Sequence, residues 1–94
     1  MATYLMFGRY SLEGVKGISA DRTDKATALI KKYRGELKAG YAVLGENDLL
    51  LIADFPGVEQ AMQASAALAK LVGAAFTTSP AVNVADFDKL MKDV

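Results

Sequence analysis

The side chains of this sequence best suited to hold a small molecule are Tyr4, Arg9, Tyr10, Lys16, Tyr41 and Asp48. Arg9 closes an aromatic and apolar run. A guanidinium there suits a carboxylate or an enolate if its face of the strand turns toward the helices. The alternative is an ordinary ion pair with Asp48 or Asp54. Tyr4, Tyr10 and Tyr41 could line a cavity with their hydroxyls, or serve as half-buried packing residues. Lys16 sits in the connection after the first strand and could bind an anion, or simply be solvated. Asp48 is a general base if burial raises its pKa, and otherwise a turn residue that bonds the backbone. Thr77, Thr78 and Ser79 have no base partner within sequence reach, which leaves a nucleophile unactivated. Gly14-x-x-Gly17 follows a strand but lacks the lysine–serine ending of a phosphate loop.

Missing residue types narrow the chemistry further. The 94 residues include no histidine and no cysteine. A Ser-His relay, a thiolate nucleophile, a histidine-ligated haem and a nitrogen- or sulfur-built zinc site are therefore unavailable. Any proton transfer falls to Asp, Glu, Lys or Tyr. No Asp/Glu cluster has the spacing of a calcium loop, so neither a metal nor a cofactor is expected. Basic and acidic residues balance at 11 each, without runs of either sign. That pattern gives no electrostatic footprint for nucleic acid or an anionic membrane. No segment approaches the ~20 apolar residues that span a bilayer. The start of the chain lacks the basic and apolar regions of a signal peptide. The expectation is a soluble cytoplasmic protein.

These candidates must be positioned by a small set of elements. With 94 residues, 52% of them hydrophobic, one domain over residues 1–94 is expected. Thr3 to Tyr10 reads as a strand, with Tyr4, Met6, Gly8 and Tyr10 on one face and Thr3, Leu5, Phe7 and Arg9 on the other. A glycine-bearing connection follows, with a helical turn around Glu13–Lys16. Asp21 reads as the N-cap of a helix from about Arg22 to Arg34, whose stripe is Ala26, Leu29, Ile30 and Tyr33. Gly35 fits the C′ position.

Gly45-Glu46-Asn47-Asp48 then folds Leu37–Leu44 and Leu49–Ala53 into a hairpin. Phe55-Pro56-Gly57 ends the third strand. A helix from about Val58 to Val72 carries the stripe Val58, Ala61, Met62, Ser65, Leu68, Ala69 and Val72, and Gly73 ends it. The fourth strand lies within Ala75–Val84 and should be an edge strand or bulged, because Pro80 cannot donate to a ladder. A last helix from about Ala85 should face Phe87, Leu90 and Met91 inward.

Strand–helix–strand–strand–helix–strand is the order of the split βαβ motif. The fold predicted is α+β and ferredoxin-like, with an antiparallel sheet in the order 4-1-3-2 and a C-terminal helix. Both long helices should cover one face of the sheet and leave the other bare. Leu49-Leu50-Leu51-Ile52-Ala53 has no polar residue on either face, so the uncovered face is apolar in either phase. Closure by a second copy into a dimeric α/β barrel is the simplest remedy.

The run Thr3-Tyr4-…-Gly8-Arg9-Tyr10-Ser11-…-Gly14-…-Lys16 and the Gly45-x-x-Asp48 turn resemble the GYD-domain family. So do the Ala-rich second helix and the Thr-rich last strand before an acidic terminal helix. The resemblance covers nearly the whole chain. A Gly-x-Tyr-Asp pattern is common around the hairpin of that family, and here Asn47 stands where the tyrosine is expected. The resemblance implies a bacterial or archaeal dimeric α/β-barrel protein, in a family without an established activity. Barrels of that type include cofactor-free monooxygenases, muconolactone-type isomerases, haem-degrading enzymes and ligand-sensing modules, and fold alone does not choose among them.

Three functions follow as expectations. The first is a non-catalytic module that binds or senses a small molecule as a homodimer or higher oligomer. The second is a cofactor-independent enzyme, of isomerase or monooxygenase type, acting on a small aromatic or enolisable substrate. The third is a purely structural dimer. The absence of a convincing acid–base pair favours the first.

Overall fold

The computed structural model describes residues Met1–Val94. Strand β1 (Ala2–Tyr10) leads through the short helix α1 (Leu12–Lys16) into α2 (Ala20–Lys32). The hairpin β2 (Glu36–Ala42) and β3 (Leu49–Phe55) follows, then α3 (Val58–Val72) and β4 (Ala74–Ala81). The chain ends in α4 (Val84–Leu90) and a 3-10 turn, Met91–Asp93. The sheet runs β2-β3-β1-β4, antiparallel at every pairing, which is the expected ferredoxin-like order.

Alternation along β1 sets the core. Tyr4, Met6 and Gly8 are buried beneath the helices, while Leu5 and Phe7 are half-buried on the other face. In β3 the helix-facing set is Leu51, Ala53 and Phe55. These join Ile30 of α2 and Ala61, Ala64, Leu68 and Val72 of α3 in a single cluster, with the Tyr4 ring edge-on to Phe55 at 5.9 Å. Small residues on α3 let its backbone come close to the sheet, and Ser65 bonds Thr78 of β4 at 2.9 Å. Pro80 sits on β4, an edge strand, as its missing N–H requires. A bulge in β2 between Leu37 and Ala39 sets Lys38 outside the ladder.

The bare face is built from Leu5 and Phe7 of β1 opposite Ile52 and Leu50 of β3, flanked by Ala39 and Tyr41 of β2. Thr77 and Ser79 of β4 complete it. No helix of the chain lies over it.

Four local expectations need correction. Helix α2 begins two residues earlier than Asp21 implied: Ser19 is the N-cap, and its hydroxyl accepts from the Arg22 N–H at 3.1 Å. A serine offers this bond as well as an aspartate does, so the choice between Ser19 and Asp21 depended on where the chain turned. At the other end of α2 the left-handed residue is Arg34, with φ 65°, and not Gly35. Gly35 is needed for space, since a Cβ there would lie 2.7 Å from Phe55 Cδ1. On α3 the buried stripe is Ala61, Ala64, Leu68 and Val72, while Val58 and Met62 are exposed. Finally, no residue of α4 is buried: Phe87 is 48% exposed and Leu90 60%, so this helix does not turn its apolar side into the core.

Candidate functional site

A cavity of about 80 Å³ opens between the N-terminal half of α2 and the sheet. Ile18, Ala26, Leu49, Leu51 and Val72 supply its apolar wall. Its polar groups are the Tyr10 phenol, the Ser19 and Thr23 hydroxyls and the Arg22 guanidinium.

Each polar group has a local reason to be there. Tyr10 is the last residue of β1, on the same face as Tyr4 and Met6, so alternation aims it toward the helices. Its backbone N–H donates to Asp48 Oδ2 at 2.9 Å, and the Asp48 N–H donates to the Gly8 carbonyl at 2.8 Å. The hairpin turn thereby clamps the end of β1. The Ser19 hydroxyl is occupied as the α2 cap, and the Thr23 hydroxyl donates to the Ser19 carbonyl at 3.3 Å.

Arg22 is the residue the sequence reading passed over. Its guanidinium carbon lies 5.4 Å from the centre of the Tyr10 ring, a cation–π arrangement, and Nη1 donates to the Gly14 carbonyl at 2.7 Å. It is half-buried and forms no ion pair with any carboxylate. Two glycines make room for this corner. A Cβ on Gly17 would lie 2.7 Å from Arg22 Nη1. Gly14 backs onto Gly73, whose carbonyl accepts from both the N–H and the hydroxyl of Ser11, at 2.9 and 3.0 Å. The Gly14-x-x-Gly17 pair is thus explained by close backbone and guanidinium approach. One signal for Arg22 was available in the sequence: a cation in the first turn of a helix opposes the dipole and asks for a compensating partner.

Of the six residues proposed from sequence, the structure brings only Tyr10 to this cavity. Tyr4 is 5% exposed and packed in the core. Arg9 points to the bare face, opposite to the helices, where it is exposed and pairs with neither Asp48 nor Asp54. Asp54 is engaged instead by the Thr3 hydroxyl at 2.7 Å and by Lys38 at 3.9 Å. Lys16 is exposed beside Glu13 at 3.6 Å. Tyr41, 55% exposed, lies on the bare face opposite Leu50. Asp48 bonds backbone, as a turn aspartate does.

A second, wider hollow of about 230 Å³ lies on the other side of the sheet, bounded by Phe7, Thr77 and the turn residues Glu46 and Asn47. Asn47, at the position where the family's tyrosine is expected, borders this hollow and not the helix-side cavity.

The sheet order, the two helices over one face and the crossover connections define a ferredoxin-like α+β protein. The family model for the GYD domain matches residues 4–91, and the chain belongs to that family. Among curated proteins no match is found. The fold is similar to the crystal structure of Mycobacterium tuberculosis leucine response regulatory protein (LrpA), with a TM-score of 0.58 at 11% identity. The superposition covers 87% of this chain and 51% of LrpA, so the chain spans about half of that protein's length. No helix of the structure is long and apolar enough to cross a membrane.

Proposed function

We propose that this chain is a non-catalytic module that binds or senses a small molecule in the cavity between α2 and the sheet, and that it works as a homodimer. The observation that carries the binding role is the cavity's polar lining. It offers a guanidinium, a phenol and two hydroxyls, one committed to the α2 cap and the other to the Ser19 carbonyl, and no carboxylate, imidazole or thiol. Such a set orients a ligand, while its phenol and hydroxyls have no carboxylate or imidazole in the lining to activate them. The volume, about 80 Å³, is well below the ~300–1,000 Å³ of typical drug-sized sites and suits a ligand of a few heavy atoms.

The homodimer is supported by the bare face. Leu5, Phe7, Leu50 and Ile52 form a contiguous apolar surface that monomers rarely expose. An isologous pairing of two such faces would bury them, and a stable interface should exceed ~1,000 Å² in total.

Native mass spectrometry of gently purified protein tests the binding role. The expected result is a dimer carrying a small-molecule adduct on each chain that collisional activation removes. Protein that carries no adduct and gains none from a small-metabolite extract would contradict it.

A further inference from the structure

We infer that the ligand of the α2 cavity is a small carboxylic acid with a compact apolar body and no ammonium group. This rests on the binding role proposed above and names the ligand class for the same site.

Charge is the first argument. Arg22 is half-buried, lies in the first turn of α2 where the helix dipole disfavours a cation, and has no carboxylate partner. Only one of its five N–H donors has a hydrogen bond in the structure, to the Gly14 carbonyl at 2.7 Å. A cation so placed is compensated by an anion from outside, and a planar carboxylate matches the guanidinium fork.

Shape is the second. The rest of the lining is largely apolar, with Ile18, Leu49, Leu51 and Val72 among it. A volume of about 80 Å³ is small beside the ~300–1,000 Å³ of drug-sized sites, which limits the ligand to a compact body. A short branched acid is such a body, with its carboxylate toward Arg22. A phosphate ester or a nucleotide is too large and too polar for this wall.

The third argument separates an acid from an amino acid. An ammonium beside the carboxylate would lie near the Arg22 cation, and no Asp or Glu lines the cavity to balance it. Desolvating that second cation without a partner is unfavourable.

Three probes on one skeleton test this: 2-methylpropanoate, 2-methylpropanamide and 2-amino-2-methylpropanoate, titrated into the full chain and followed by amide chemical shifts. The acid should saturate with shifts centred on Tyr10, Ile18 and Arg22, at least tenfold tighter than either the amide or the amino acid. Arg22→Met should lower its affinity to that of the amide. Gly17→Ala keeps the charge but crowds Nη1, a flexible side-chain end, and should weaken the acid several-fold with little change in thermal midpoint. A purely structural Arg22 would give the reverse pattern, a lower midpoint with unchanged affinity, and would overturn the inference. Equal binding of acid and amide, tighter binding of the amino acid, or no saturation by the acid would each overturn the ligand class. Adducts retained by the purified protein would still uphold the binding role in those cases, because that readout does not depend on which acid is chosen.

Discussion

Gly14 and Gly73 are in backbone contact: a Cβ on Gly14 would lie 2.9 Å from the Gly73 carbonyl carbon, and one on Gly73 would lie 2.9 Å from Gly14 Cα. The contact locks α1 to the corner where α3 turns into β4, and Ser11 reinforces it with two bonds to the Gly73 carbonyl. The corner fixes the Gly14 carbonyl, and that carbonyl fixes Arg22. The cavity's one cation is therefore held by a junction on the far side of α1.

Gly14→Ala is expected to destabilise the fold by about 3 kcal/mol or more, because the clash is with backbone that cannot step aside. Gly17→Ala, three residues on, should cost well under about 1 kcal/mol, since its clash is with a side-chain terminus and its φ of −91° is open to alanine. Urea unfolding of the two variants checks the contrast. Equal losses would mean that α1 is not anchored through Gly14.

The end of α2 offers a pair with opposite signs. Arg34 holds φ 65°, a region that costs an L-residue about 1–2 kcal/mol, so Arg34→Gly should raise stability by about 0.5–1 kcal/mol after glycine's own entropy is counted. That corresponds to a rise of roughly 3–6 °C in Tm for a chain of this size. Gly35→Ala should be destabilising by about 1–3 kcal/mol, because the new methyl meets Phe55 and Ile30 in the core. Calorimetric melts of both variants are sufficient. A stabilised Gly35→Ala would show that the glycine is there for its conformation and not for space.

Removing the Asp48 carboxylate should loosen the junction of hairpin and β1. Asp48→Ala leaves the Tyr10 N–H without its acceptor, a loss of about 1–3 kcal/mol. Hydrogen exchange should quicken first at Tyr10 and at Val43, whose N–H donates to the Asp48 carbonyl at 2.9 Å. Exchange that stays slow at both sites would mean that the turn holds its shape without the side chain.

On the bare face, Leu50→Glu should convert a dimer to a monomer while the far-ultraviolet circular dichroism stays that of the parent. The side chain lies opposite Phe7 and beside Tyr41, at the middle of the apolar surface. Sedimentation velocity at micromolar concentration reads the outcome. A parent chain that already sediments as a monomer removes the dimer proposal.

Much of this architecture was legible in the residues. Strict alternation in β1, the Gly45–Asp48 turn and the α2 stripe led to the sheet order, and Gly73 ends α3 as expected, with a left-handed φ of 71°. The errors came where periodicity was ambiguous or where space decided. On an alanine-rich helix, several rotations bury a similar amount of apolar surface, and close approach favoured Ala61 and Ala64 over Met62. The stripe Phe87, Leu90 and Met91 has helical spacing, yet spacing does not say whether a surface lies beneath it.

The site was less legible than the fold. Arg9 was attractive as a strand-end arginine, but alternation from the buried Met6 and Gly8 sends it to the other face. Arg22 falls in the first turn of α2 whether Ser19 or Asp21 caps it, so its only sign in the sequence was a cation set against the helix dipole.

Which side of the sheet receives a ligand is decided by intermolecular nuclear Overhauser effects from 2-methylpropanoate to methyl-labelled protein. Contacts to Ile18, Leu49, Leu51 and Val72, lost in Arg22→Met, are the expected result. Contacts to Leu5, Leu50 and Ile52 instead would place the ligand on the bare face, and the cavity beside Arg22 would then be only a feature of packing.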